Sequence, residues 1–386
     1  MIFEILLIVS ILAGQLIKFP LFGNLGPTLL DLTVFVLIIL ALFRLRYKLK
    51  KPPTFIIAGF IFILIAILSL ILTPLNLNFV EYLASFSYTI RLTLYLTLGW
   101  VILSGAFVNL KKNIPSALLL SGVGLSILGL LQFIIFPNLG PLQEFGWDPH
   151  YFRTVSTFLD PNFAGAYFVL TLTLIFQNRA GALNWSRHTI FFALVYLALL
   201  TTFSRSSYLM FLTGGLTLSY FNKSKDILLK TLILFIILMG GFYLYTYFVA
   251  SPRNIDRTKS ASSRVNTWIQ GIEVFKHSPI LGVGFNSYRY AMREYNLSDS
   301  NFLQSRGSST NDSSLLSVLA TTGILGFIVY IIFIISILYA GIKGDPALTA
   351  GLSGLIIHSF FANSLFYPFI FLWVILMASY NPKTSL

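Results

Sequence analysis

Apolar stretches of about 18 or more residues recur from one end of this chain to the other, each long enough to cross a lipid bilayer. Nothing else in the sequence constrains the fold as strongly. Hydrocarbon does not tolerate unsatisfied backbone N–H and C=O groups, so such stretches become helices. Charged residues make up 10% of the 386 positions, where a soluble domain carries about 25%. The sequence therefore predicts an all-α, polytopic helical membrane protein, with residues 1–386 forming a single integral membrane domain.

Hydropathy places about twelve spans, at residues 1–18, 27–46, 54–73, 80–104, 114–136, 160–177, 188–203, 206–221, 226–248, 313–340, 346–362 and 365–380. The opening run "MIFEILLIVSILAGQLI" has no basic start and no small-residue cleavage site, so it is expected to stay as the first span. Short basic connections at 44–51, 109–113, 178–187, 221–225 and 341–345 fall on alternate sides, which puts them in the cytoplasm together with both termini. The connections at 72–78, 137–159, 249–312 and 362–366, and the corner at Arg205, then face outward. The 249–312 connection is the one large extracytoplasmic loop.

Cysteine is absent, which excludes disulfides and thiolate chemistry. His150, His188, His277 and His358 show no metal-ligand spacing, and no Walker-type phosphate loop is present, so no metal or cofactor is expected. His358 reads as a hydrogen-bonded packing residue within its span. The net charge of +13 is spread over many loops, which argues against a nucleic-acid partner.

The basic residues differ by side. Cytoplasmic connections mix lysine and arginine. The outer set is dominated by arginine: Arg153, Arg205, Arg253, Arg257, Arg264, Arg289, Arg293 and Arg306, against Lys18, Lys259 and Lys276. A guanidinium presents a planar fork that grips phosphate or carboxylate with two parallel donors. Solubility of a large loop accounts for Arg253 and Arg257. It does not account for Arg205, set in "LALLTTFSRSSYLMFLTG" (197–214) between two apolar runs with no room for a solvated loop. An arginine beside hydrocarbon needs a partner, and an anion at the outer interface is the expected one.

Residues 262–279 read as a helix capped by Ser262 or Ser263 and stopped by Ser278-Pro279. Val265, Trp268, Ile269, Ile272 and Phe275 form an apolar stripe expected to pack inward, opposite Asn266, Gln270, Glu273 and His277. Arg264 sits beside that stripe, in a first turn where the helix dipole opposes a cation. A local stack on Trp268 is the alternative to an anion contact. Gly282 and Gly284 follow and permit close backbone approach.

The ordered segments "STFLDPNFAGAYF" (156–168), "TFSRSSYLMFLTGG" (202–215), "SRVNTWIQGIEVFKHSPILGVGFNSY" (263–288) and "NDSSLLSVLATTGILGF" (311–327) together resemble the O-antigen ligase and polymerase superfamily, over a core of about residues 150–330. The resemblance implies a GT-C type fold and a metal-independent, inverting glycosyltransferase. Its donor would be a glycan on undecaprenyl pyrophosphate, and its acceptor a lipid, glycan or protein hydroxyl at the outer face of a bacterial inner membrane. By the same resemblance Arg205 and Arg264 meet the pyrophosphate. Arg153, Asp160, Asn162, Trp268, Arg289 and Asn311 are the further candidate substrate contacts.

One position departs from the family. A His-Asn pair often opens the segment ending Thr-Gly-x-x-Gly, and an ungapped count back from Gly323 puts Asp312 in the histidine's place. Asp312 is a candidate base, or simply the helix N-cap ahead of Ser313 and Ser314. Asp160-Pro161-Asn162 has a parallel alternative as a proline-started helix. The rival function, a transporter or flippase of a lipid-linked glycan, needs a polar path through the membrane. Asp31 and Arg91 are the obvious charges inside spans, and they could pair structurally.

Overall fold

The computed structural model describes residues 2–19, 26–46, 48–177, 185–251, 259–299, 302–303 and 305–380. Arg253, Arg257 and part of the 178–187 connection lie outside them, as does the side chain of Lys259. The described residues are all-helical, with no named strand. In chain order the helices are α1 (Ile2–Ala13), α2 (Leu29–Leu45), α3 (Thr54–Ile71), α4 (Phe79–Leu103), α5 (Val108–Ile135), α6 (Pro161–Phe176), α7 (Trp185–Thr202), α8 (Arg205–Asn222) and α9 (Lys225–Tyr245). There follow α10 (Lys259–His277), α11 (Tyr288–Glu294), α12 (Ser314–Gly344), α13 (Pro346–His358) and α14 (Pro368–Tyr380). Each expected span overlaps one of these helices, though α5 runs through the connection expected at 109–113 and α12 through most of that at 341–345; α10 and α11 belong to the 249–312 connection. Among the described residues, five helical stretches, those carrying α3, α4, α5, α9 and α12, are long and apolar enough on their own to cross a bilayer.

Helices that are apolar on every side belong in the middle of a bundle. Two such helices do so here: α6 is buried continuously from Ala164 to Ile175, and α14 from Pro368 to Ser379. The opposite extreme is α9, whose Leu229, Ile233 and Ile236 are 60%, 50% and 69% exposed and form part of an apolar outer girdle. Lipid supplies no hydrophobic drive between helices, so close contact must come from small residues. Accordingly Gly354 of α13 lies against the Met210 carbonyl of α8, and Gly214 of α8 against the Ala350 carbonyl of α13.

The helix α12 is broken at Gly323, which adopts φ 62 and ψ −168. The broken backbone is paired by residues 279–284. Val283 and Gly284 N–H donate to the Ala320 and Thr321 carbonyls (both 3.1 Å), and Ile324 N–H donates to the Pro279 carbonyl at 2.9 Å. Ser69 of α3 adds a 2.6 Å bond to the Thr321 carbonyl. Irregular backbone survives beside hydrocarbon only when protein satisfies it in this way. Glycine is required on both sides: Gly282 has φ 73, and a Cβ there would collide with the Thr321–Thr322 backbone. The glycines of "LGVGF" and "TTGILGF" therefore form one interlocked joint.

The helix α10 differs from expectation in start and in register. It begins by Lys259, so Ser262 and Ser263 lie inside it and Arg264 is in its second turn rather than its first. The stripe expected to pack inward faces out, with Val265, Ile269 and Ile272 at 51%, 59% and 45% exposure. The buried edge is Gly271 and Val274. The cause is Gly271, whose missing side chain lets α10 settle on Asn311 and Leu316. Close approach through a small residue decides the register over the larger apolar stripe.

Candidate functional site

The expected site residues gather at one end of the bundle, where α6, α8, α10 and α12 begin or turn. Just ahead of α6 the chain runs through three non-glycine residues at positive φ, Phe152, Ser156 and Leu159. It is pinned there by Val155 N–H to Gln132 Oε1 (2.9 Å) and by the paired hydroxyls of Thr154 and Thr201 (2.7 Å). Strain of this kind persists only where the surroundings over-determine it. Arg153, buried in this segment, donates from Nε to the Thr202 carbonyl at 2.8 Å and from Nη2 to that of Phe203 at 3.4 Å. It braces the α7–α8 corner from beneath.

That corner consists of Phe203, at φ 47, and Ser204, whose Oγ caps α8. Ser204 Oγ also donates to Asn162 Oδ1 at 2.8 Å, and Ser207 Oγ to the Asn162 carbonyl at 3.2 Å. The corner is thus locked to the first turn of α6. Gly165 makes this possible, since a Cβ there would collide with Ser207 Oγ. Arg205 opens α8 with its guanidinium over the Phe242 ring of α9, 5.4 Å from the centroid. Stacking uses the face of the guanidinium and leaves its N–H edges for an anion. Asp160 is the N-cap of α6, its Oδ1 accepting from the N–H groups of Asn162 (2.6 Å) and Phe163 (3.1 Å).

Asp312 is not the cap of α12. Ser313 holds that position, its Oγ accepting from Leu316 N–H at 3.4 Å. Asp312 instead receives the Thr267 hydroxyl at 3.2 Å on Oδ2. Burial pushes its carboxyl above the ordinary range, the Arg264 guanidinium and the Thr267 hydroxyl pull it back, and Asp160 pushes it up again. Arg153 and Arg264 are likewise the cations that act on Asp160. Arg153, Asp160, Arg264 and Asp312 therefore share one electrostatic neighbourhood.

Arg264 lies over Phe361, 5.7 Å from the ring centroid, and not in the alternative stack on Trp268. Trp268 packs its own ring near Phe361 and donates Nε1–H to the Phe360 carbonyl at 3.0 Å. Asn311 is wholly buried. Its Nδ2 donates to the Thr267 carbonyl and to Tyr288 Oη (3.0 Å), while Oδ1 accepts from Ser313 N–H at 2.9 Å. Those bonds make it the clamp that ties α10 and α11 to α12, behind the site.

Two residues in this neighbourhood escaped the sequence reading as site members. His358, at the end of α13, is fully buried with Nε2 3.4 Å from Ser207 Oγ. Asp148 stands at an exposed rim; dense surroundings and the charges of Asp160 and Asp312 raise its carboxyl, Arg153 opposes them, and water access screens the effect. Its signal was present, since "WDPH" repeats the Asp-Pro pair of "LDPN".

Arg289 does not join this group. It lines a separate chamber of about 510 Å³ whose wall includes Phe163 and Tyr367. These two rings stack at 4.1 Å and 5°, and Phe163 lies in the same α6 turn as Asp160 and Asn162.

The all-helical bundle, its apolar girdle and the polar residues collected at one end define a helical membrane protein. Residues 190–331 match the family model for O-antigen ligase, which supports the likeness to the O-antigen ligase/polymerase superfamily. The match takes in Arg205, Arg264, Trp268, Arg289, Asn311 and Asp312; Arg153, Asp160 and Asn162 precede it. None of the curated proteins compared matches the chain.

Proposed function

We propose that this protein transfers or polymerises glycan from an undecaprenyl-pyrophosphate-linked donor onto an acceptor hydroxyl at the outer face of a bacterial inner membrane, without a metal and with inversion. In this reading all twelve apolar helices cross the membrane, both termini are cytoplasmic, and residues 150–330 form the catalytic core. The exposed stripe of α10 then rests in the outer interface, as expected of an amphipathic helix.

The observation that carries the proposal is the convergence of Arg264 and Asp312 within the stretch matched to O-antigen ligases. The acceptor oxygen attacks the anomeric carbon and its proton passes to the Asp312 carboxylate. The bond from that carbon to the pyrophosphate oxygen breaks, and the lipid pyrophosphate leaves with the electron pair. Arg264 and the free edge of Arg205 stabilise its charge, preorganised in a poorly hydrated site. Arg153 and Asn311 position, and Asp160, Asn162 and Trp268 frame the sugar.

A flippase reading loses its motive. The in-span charges Asp31 and Arg91 are spent on each other, Arg91 Nε and Nη2 donating to the two Asp31 oxygens at 2.8 Å, with Tyr95 Oη adding a third bond at 2.8 Å.

The test is purified protein in liposomes with no ion gradient. The expected result is consumption of a lipid-pyrophosphate glycan, release of the carrier pyrophosphate and a glycosylated acceptor. Movement of intact donor between leaflets without consumption contradicts the proposal.

A further inference from the structure

The chamber holding Arg289 is chemically distinct from the neighbourhood of Arg264 and Asp312. Lys18, Arg91, Arg289 and Arg306 line it, against the single carboxylate of Asp31. That carboxylate is neutralised by Arg91 in a bidentate pair. Among the described residues, Lys18, Arg289 and Arg306 have no carboxylate partner. Arg289 is held by neutral acceptors, Nε to Ser308 Oγ at 2.8 Å and Nη2 to the Ser305 carbonyl at 2.7 Å. Arg306 donates from Nε to the Phe145 carbonyl at 3.1 Å and stacks over Trp147 at 4.3 Å.

These contacts fix the direction of both guanidinium groups without balancing their charge. The imbalance is felt by Lys18, on whose amine the like charges of Arg306 and Arg91 both act. Concentrated cation charge in a half-enclosed space is costly unless an anion enters. Aromatic rings, Tyr88, Trp147, Tyr290 and Tyr367 among them, make up part of the remaining wall, beside small and polar side chains such as Ser87, Asn286 and Asn363. The volume is that of a small-ligand site.

The geometry points to a subsite for an anionic sugar residue, its carboxylate or phosphate substituent set between Arg289 and Arg306 and its ring against the aromatic wall. This deepens the transfer reading and rests on it: the sugar belongs to the glycan being handled. The Phe163–Tyr367 stack, at the boundary with the α6 turn of Asp160, is where the glycan would pass between the two.

Binding to the full-length protein in nanodiscs tests this, using four probes. They are a hexuronate-containing tetrasaccharide, a phosphate-substituted tetrasaccharide, a neutral tetrasaccharide and inorganic pyrophosphate. At least one anionic tetrasaccharide should bind ten times or more tightly than the neutral one, and which of them does so identifies the substituent. Arg289→Gln and Arg306→Gln, made separately in case one fails to fold, should each weaken that binding about tenfold, the size of one charge-assisted hydrogen bond, and leave the neutral probe unchanged. Equal binding of neutral and anionic probes overturns the subsite. So does pyrophosphate binding that falls as far in the same variants, because the chamber would then hold the leaving group. Donor consumption is scored in parallel. Consumption without anion preference sinks the subsite alone, whereas anion preference without consumption sinks the transfer reading alone.

Discussion

Thr267 and Asp312 meet where α10 crosses the start of α12, the Thr267 hydroxyl donating to Asp312 Oδ2 at 3.2 Å. Because Ser313 already caps α12, this contact leaves the carboxylate no structural duty at the helix end. It engages one oxygen and leaves the other without a protein hydrogen bond among the described residues. Asp312→Asn keeps an acceptor for Thr267 but cannot take a proton. Protein abundance and donor binding should therefore be normal, and turnover should fall about 10²–10⁴-fold, the range of a general base. Near-normal turnover of Asp312→Asn would remove Asp312 from the chemistry.

The pH profile follows from the same carboxyl. Its pKa is raised by burial, so the base form is lost as pH falls through a value above the about 3.9 of a free aspartate. The acid limb of kcat/KM should lie there, and Asp312→His should move it toward about 6.5. A limb that does not move in the histidine variant assigns the titration to another group.

Gly323→Ala should be strongly destabilising. The backbone at φ 62, ψ −168 is one that only glycine adopts readily, and a Cβ would collide with the Ile280 carbonyl. Strain and overpacking of about 1–3 kcal/mol each are expected, read as loss of thermal stability in detergent. An unchanged melting temperature would mean the α12 joint is looser than described.

Asp31→Asn should cost up to about 3–5 kcal/mol, because it leaves the half-buried Arg91 with no carboxylate, and Asp31→Asn with Arg91→Gln should cost less than Arg91→Gln and Asp31→Asn summed. Additive losses in thermal unfolding would show that the pair is not a coupled unit.

Orientation is checked by labels at exposed positions. Lys48, Lys112 and Lys223 should be reached from the cytoplasmic side only, and Lys276 from the outer side only. An outer label at Lys112 would invert the site.

Much of the helical architecture could be read ahead of the coordinates, because each of the twelve apolar segments overlaps a helix, although the connections expected at 109–113 and at most of 341–345 are helical as well. The tight corner was legible too, with two residues between α7 and α8. What escaped was set by contacts between distant segments. The apolar stripe of α10 looked like a buried face, and only the fit of Gly271 against Asn311 shows otherwise. Gly282 and Gly284 were legible as points of close backbone approach, but the backbone they approach, at Ala320–Thr322, lies about forty residues on in sequence. Arg289 and Arg306 both come from the 249–312 connection but Lys18 from the far end of the first apolar segment, so their shared chamber has no local signature. Asn311 looked polar enough to touch substrate, and its full burial is a property of the packed junction.

In the proposed reaction Arg264, with Arg205, stabilises the departing pyrophosphate. Turnover of Arg264→Ala, measured in membranes beside protein abundance, tests it most directly. A lost charge-assisted hydrogen bond of roughly 1.5–3 kcal/mol predicts about a 10- to 200-fold loss, with little recovery in Arg264→Lys because an ammonium lacks the two parallel donors. Arg205→Ala should fall in the same range, and the double variant should be far from additive if both arginines hold one pyrophosphate. A well-folded Arg264→Ala protein that keeps more than about half of wild-type turnover, far outside that arithmetic, would contradict the account.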